Sequence, residues 1–86
     1  MSLYEQFEQA IANSKTLAVK PGNNTLLLLY SLYKQATVGN INTEPPSNSF
    51  DFVNKAKYEA WVVLKGKAKE EAMQEYVSLV EKLKSS

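Results

Sequence analysis

Apolar residues recur along this chain at helical spacing, in four blocks separated by clusters of glycine, asparagine and proline. Leu3, Phe7 and Ile11 fall every four residues, with Glu5, Gln6 and Glu8 off that stripe, which predicts an amphipathic helix over about residues 2–14. Lys20-Pro21-Gly22-Asn23-Asn24 breaks it, and an asparagine or Thr25 there can cap the next helix. The second helix is expected over about residues 24–38. Its four consecutive leucines, Leu26 to Leu29, make it apolar on more than one face, so it should be the most buried. Gly39 terminates it, and Pro45 and Pro46 exclude helix from the loop at 40–48. A third helix is predicted from residue 51 or 53 to 64, with Phe52, Ala56, Ala60, Val63 and Leu64 at helical spacing and Asp51 suited to its N-terminus. Gly66 ends it. The fourth, over about residues 67–84, carries the stripe Ala72, Met73, Tyr76, Val77, Val80 and Leu83. Glu70 and Glu71 early and Lys82 and Lys84 late suit the helix dipole, while Lys67 and Lys69 run against it. No strand pattern interrupts the series, so the class is all-α, a four-helix bundle forming a single domain over residues 1–86.

Composition narrows the chemistry. The 86 residues contain no cysteine and no histidine, which removes the commonest nucleophiles, general bases and transition-metal ligands. Neither an enzyme nor a metal or cofactor site is expected. Ten lysines against nine acids give a net charge of +1 with no arginine, a poor basis for general nucleic-acid binding. The longest apolar run covers five residues, far short of the ~20 of a membrane span. No signal peptide is visible, and Ser2 stands where N-myristoylation needs glycine. The expected location is cytoplasmic.

Tyr30, Tyr33 and Lys34 stand out at positions i, i+3 and i+4, where one helix face presents them together near the end of an otherwise apolar helix. Two readings are open. The tyrosines are core aromatics with hydroxyls at the rim and Lys34 is a solvated charge. Alternatively, two phenols and an ammonium converge on an anion such as phosphate, with rings free to stack on a nucleobase. Lys55 and Lys57 lie two apart, so at most one shares that site; Lys55 reads as solvated, whereas Lys57 near a helix N-terminus is a candidate for a local anion. Tyr76 lies within an apolar stripe and reads as a core aromatic with a polar tip. Lys15, just after the first helix, reads as a cap-region charge, and Lys65, Lys67 and Lys69 as exposed helix-end charges. Glu70 and Glu71 diverge on a helix and make no acid/base pair.

The stretch YSLYKQATVGNINTEPP at 30–46 resembles the signature of the acyl-CoA-binding protein family. Lys55-Ala56-Lys57-Tyr58-Glu59-Ala60-Trp61, Leu64-Lys65-Gly66, Glu70-Glu71-Ala72-Met73 and Tyr76 follow the family pattern in order, and Phe7 and Lys20-Pro21 also fit. The resemblance spans nearly the whole chain. It implies an up-down-down-up four-helix bundle that binds medium- to long-chain acyl-CoA thioesters without catalysis. By that resemblance Tyr30, Lys34 and Lys57 hold the ribose 3′-phosphate and nucleotide, Tyr33 and Tyr76 pack around adenine and pantetheine, and Lys15 sits beside the phosphates. Leu26, Leu27 and Ala10 line the acyl path. It also implies a monomer that buffers and transports its ligand, with transient contact with acyl-CoA-using enzymes or membranes.

Three departures bear on acyl-length preference and loop geometry. Tyr58 replaces a common tryptophan, Asn40 stands where aspartate is common, and the segment Pro46-Ser47-Asn48-Ser49-Phe50 is one residue longer than usual. An alternative from another class is a helical protein-interaction module with a repurposed groove.

Overall fold

A computed structural model describes residues 1–48 and 50–85; Ser49, part of the lengthened loop, and Ser86 lie outside the described residues. Four helices follow in order: α1 Leu3–Ser14, α2 Asn23–Thr37, α3 Phe52–Val62 and α4 Lys69–Lys84. Their ends are set locally. The Ser2 hydroxyl accepts from the Glu5 amide at 3.1 Å and the Glu5 carboxylate accepts from the Ser2 amide at 3.2 Å, a reciprocal cap for α1. Asp51 accepts from the Asn54 amide at 3.3 Å at the start of α3. The asparagine or threonine cap expected for α2 is not formed; Gly22 holds the cap position with no side-chain bond. At the far end of α2 the Val38 and Gly39 amides both donate to the Lys34 carbonyl, and Gly39 takes a φ of +97° that a side chain would strain.

Two boundaries differ from the periodicity. Helix α3 stops at Val62, because the Leu64 and Lys65 amides turn back three residues to Trp61 and Val62 and Gly66 adopts a φ of +96°. Helix α4 starts at Lys69. Lys67 is held outside it: its carbonyl accepts from Gln35, and its ammonium pairs with Glu75, whose carboxylate raises the Lys67 pKa above its ordinary 10.5. Lys67 is therefore an ion-paired residue, not the free helix-end charge its position suggested.

Among the described residues helix α4 packs against α1 and α2, and α3 packs against α2 alone. Tyr4 and Glu8 of α1 border a depression with Lys69 and Met73 at the start of α4, whereas Asn13 borders one with Leu83 and Lys84 at its end, so α1 and α4 run parallel. Gln35 near the end of α2 meets Lys67 just before α4, so α2 runs antiparallel to α4. Leu26 and Leu27 face Val53 and Ala56, with Trp61 reaching Gln35 further along, so α3 runs parallel to α2. The result is the up-down-down-up bundle.

The core joins Phe7 and Ala10 of α1, Leu29, Leu32 and Ala36 of α2, and Ala72, Tyr76 and Val80 of α4. Burial of a side chain the size of Phe7 contributes roughly 2–3 kcal/mol. Five α2 side chains are buried, more than on any other helix among the described residues, but of the leucine run only Leu29 is one of them, while Leu26 and Leu28 are exposed. Helix α3 departs from expectation. Of its apolar positions only Trp61 is buried, while Phe52 is 71% and Val53 is 65% exposed, because a helix with a single neighbour has little surface to hide.

A buried polar knot ties these pieces. The fully buried Gln35 carboxamide donates to the Asn40 side-chain oxygen at 3.0 Å and the Lys67 carbonyl at 2.7 Å, and accepts from the Trp61 indole at 3.2 Å. The indole also donates to the Gly39 carbonyl at 3.0 Å, and Asn40 accepts from the Gly66 amide at 2.8 Å. Asn40 uses its oxygen as an acceptor, a role aspartate would also fill. Every polar partner here is satisfied, which is the condition for burying such a group. Gln35→Ala removes three bonds and leaves a cavity, so it should destabilise the fold by about 3 kcal/mol, read as a shift in the urea unfolding midpoint. A loss below about 0.5 kcal/mol would contradict the role given to this side chain.

Candidate functional site

Two grooves flank the first half of α2 and share Leu26 and Tyr30. The first, about 420 Å³, lies between α2 and α3, with Leu26, Leu27, Phe52, Val53 and Ala56 as apolar walls and Tyr30 and Lys57 toward the α3 interior. The second, about 330 Å³, lies on the other side of α2, where Ile11, Ser14 and Lys15 of the α1 end face Leu29, Tyr33 and Tyr76. It lies where, among the described residues, the backbones of α1 and α2 stay apart and only side chains such as Phe7 and Tyr33 meet across the gap.

The lysines converge on one ring. Lys57 Nζ stands 5.2 Å from the Tyr30 ring centroid and Lys34 Nζ 5.9 Å from it, while Lys34 is also 5.7 Å from the Trp61 ring. Among the described residues the ion pairs are Lys67–Glu75 and Lys84–Glu81, so no carboxylate neutralises Lys34 or Lys57. Two ammonium groups on one tyrosine, without an acid, form a local positive field that an anion relieves. Both are partly buried, which weakens solvent screening relative to a free surface lysine.

The aromatic residues divide by role. Tyr76 is buried, meets the Phe7 ring edge-on at 5.2 Å, and donates its hydroxyl to Ser14 Oγ at 3.2 Å. Tyr33 stacks on Phe7 at 6.2 Å, yet stays 40% exposed and so offers a face to the groove. Lys15 is exposed at the rim of the second groove. The structure thus brings Tyr30, Tyr33, Lys34, Lys57, Tyr76, Lys15, Leu26 and Leu27 along the stretch of α2 from Leu26 to Lys34. Ala10 is not among them. It is buried in the core, and its edge borders a separate depression between α1 and α4 with Gln6, Gln9 and Val77. Ile11, the next residue, lines the groove.

Sequence reasoning missed Phe52, Val53 and Ala56 as groove walls and counted Phe52 and Ala56 toward a core stripe. A short apolar run directly after the loop, on a helix with one neighbour, was the available signal. The arrangement can hold an elongated ligand: an anionic, ring-stacking part at Tyr30, Tyr33, Lys34 and Lys57, and an apolar part along Leu27, Phe52 and Val53. Among the described residues there is no cluster of acids that could hold a metal ion.

Known proteins resemble this chain in sequence and fold. The profile described as "Acyl CoA binding protein" matches residues 4–80. An acyl-CoA-binding protein of Gossypium hirsutum is 47% identical over 83 residues, which is 96% of this chain and 92% of that protein. A rat enoyl-CoA delta isomerase 2 is 51% identical over 82 residues, but the match spans only 21% of that larger protein. Among solved structures, the Oryza sativa acyl-CoA-binding protein 2 superposes with a TM-score of 0.89 at 44% identity, over 95% of this chain and 90% of that one.

The division between packing and rim chemistry is testable at Tyr76. Tyr76→Phe keeps the Phe7 contact and loses one hydrogen bond, so it should cost about 1 kcal/mol, whereas Tyr76→Ala should cost about 3–5 kcal/mol. Chemical unfolding of both variants checks this; equal losses would mean that the ring does not carry the packing.

Proposed function

The chain belongs to the acyl-CoA-binding protein family, and from that premise we propose that it binds medium- to long-chain acyl-CoA thioesters as a non-enzymatic carrier. The observation that carries this reading is Tyr30, flanked by Lys34 and Lys57, at the inner end of an apolar groove. A CoA head group is a polyanion carrying a nucleobase, and an acyl tail is purely apolar. The site offers two unneutralised cations with exposed aromatic faces, and beside them a groove wall of leucine, phenylalanine and valine.

In this reading Lys34 and Lys57, with Tyr30, hold the ribose 3′-phosphate. Tyr33 and Tyr76 pack about the adenine and pantetheine, and Lys15 sits beside the phosphates. Leu26 and Leu27, with Phe52 and Val53, line the acyl path. Ala10 drops out of the path because it is buried in the core, and Ile11 lines the second groove beside Lys15. Each buried methylene of the tail contributes about 0.8 kcal/mol, so a groove that covers several of them outweighs the ordering cost of a flexible chain. Hydrolysis of the thioester would need a base or nucleophile, and a chain without histidine or cysteine is poorly furnished for either. The protein therefore sequesters and delivers its ligand, as a cytoplasmic monomer.

Titration calorimetry with palmitoyl-CoA, free CoA and palmitate tests the reading. Palmitoyl-CoA should bind far more tightly than either fragment, and its affinity should fall with added salt. Lys34→Ala should weaken it at least about tenfold, the loss of a charge-assisted hydrogen bond. Absence of palmitoyl-CoA binding would sink the proposal, and an unchanged Lys34→Ala affinity would remove Lys34 from the site.

A further inference from the structure

Two pairs of residues face each other across the α2–α3 seam in opposite order. On α2 Tyr30 precedes Lys34 by four positions, and on α3 Lys57 precedes Trp61 by four, so each pair shares one helix face a turn apart. Because the two helices run parallel, the cation of each meets the ring of the other. Lys57 Nζ lies 5.2 Å from the Tyr30 centroid, and Lys34 Nζ lies 5.7 Å from the Trp61 centroid. Lys34 Nζ is also 5.9 Å from the Tyr30 ring, so its ammonium stands between two aromatic faces. A carboxylate in that place would fix the ammonium and cancel its charge. A ring face fixes it and leaves the charge available to an anion.

Trp61 is the anchored corner of this square. It is 5% exposed, whereas Tyr30, Lys34 and Lys57 are each half-buried. Its indole N–H donates both to Gln35 Oε1 at 3.2 Å and to the Gly39 carbonyl at 3.0 Å, and this shared donation sets the plane of the ring. Trp61 lines neither of the two grooves beside α2. A lysine side chain gives up much rotamer freedom when a ligand orders it, and a fixed ring that already holds the ammonium removes part of that loss. An anchor for α3 alone would need the apolar bulk and the N–H of Trp61, but would not need its face turned to Lys34.

We propose that Trp61 is a positioning residue for the 3′-phosphate of the ligand: without touching the ligand, it holds the Lys34 ammonium on its ring face, ready for that phosphate. The proposal rests on the acyl-CoA reading above. It makes Trp61 a determinant of discrimination between a CoA thioester and its 3′-dephospho form, with little influence on the hold on the tail.

Calorimetry of the full chain with palmitoyl-CoA and with 3′-dephospho-palmitoyl-CoA tests it, through the ratio of the two dissociation constants. The unmodified protein should prefer palmitoyl-CoA. Trp61→Leu removes the ring and should lower that preference about fivefold, the scale of one partly desolvated cation–π contact, chiefly by weakening palmitoyl-CoA. Trp61→Phe keeps a smaller ring without the hydrogen bonds, so it should lower the preference about twofold, and it decides the matter if Trp61→Leu fails to fold. In a Lys34→Ala background Trp61→Leu should move the ratio no further, since the contact it breaks is already gone. Val80→Ala weakens the fold from a fully buried core position on α4 and should leave the ratio unchanged, which separates positioning from general loss of stability.

A ratio unmoved by either Trp61 variant, or moved as much by Val80→Ala, would make Trp61 a structural anchor only and overturn the proposal. A Trp61→Leu effect that persists in full without Lys34 would overturn it as well. An unmodified protein that binds both thioesters equally would remove the 3′-phosphate contact and this role with it. Binding of neither would reject the acyl-CoA reading itself.

Discussion

The Gln35 carboxamide is the interaction on which the rest of this structure depends. Among the described residues helix α3 packs on α2 alone and buries a single side chain, Trp61. Apolar area by itself therefore holds α3 weakly and in no particular register. The Trp61 indole, bonded to Gln35 and to the Gly39 carbonyl, supplies the register. The same carboxamide binds the Lys67 carbonyl ahead of α4 and the Asn40 side chain after α2. One polar group with no exposure thus joins two helices and the connections on either side of α3, and leaving any of its partners unpaired would cost more than the bonds themselves contribute.

That register has a functional consequence. Lys57 lies one helical turn before Trp61, so fixing the indole fixes where the Lys57 ammonium arrives: on the ring of Tyr30, which Lys34 approaches as well. Rotation or sliding of α3 would carry Lys57 away and would also separate Phe52 and Val53 from Leu26 and Leu27. Charge site and apolar groove are therefore products of one placement. Leaving two cations together without a carboxylate costs some stability in the empty protein, and a small bundle can carry that cost only where a rigid element holds them.

Much of this was legible in the chain. The four helices follow from apolar periodicity, and the α4 stripe through Ala72, Tyr76 and Val80 is the buried face. What periodicity could not distinguish was a core from a groove wall. Phe52 and Ala56 have helical spacing, but whether such a stripe is covered depends on how many neighbours α3 has, and that is a property of the assembled bundle. Ala10 and Ile11 show the same limit at one-residue scale: adjacent helical positions point about 100° apart, so one enters the core and the other faces the groove. Gln35 drew no notice, because a lone glutamine in a helix looks like a surface residue until its partners, up to 32 positions away, are brought to it. The motif around Tyr30 was informative for the opposite reason: its residues are local, and two of its chemical groups already share a face before any tertiary contact forms.

A structure of the protein with palmitoyl-CoA bound tests the central claim most directly, because it locates both halves of the ligand at once. The account predicts the ribose 3′-phosphate in contact with the ammonium groups of both Lys34 and Lys57 and the tail lying along Leu27, Phe52 and Val53, with the Gln35–Trp61 bond retained. A head group bound elsewhere on the bundle, or a tail outside the α2–α3 groove, would contradict it.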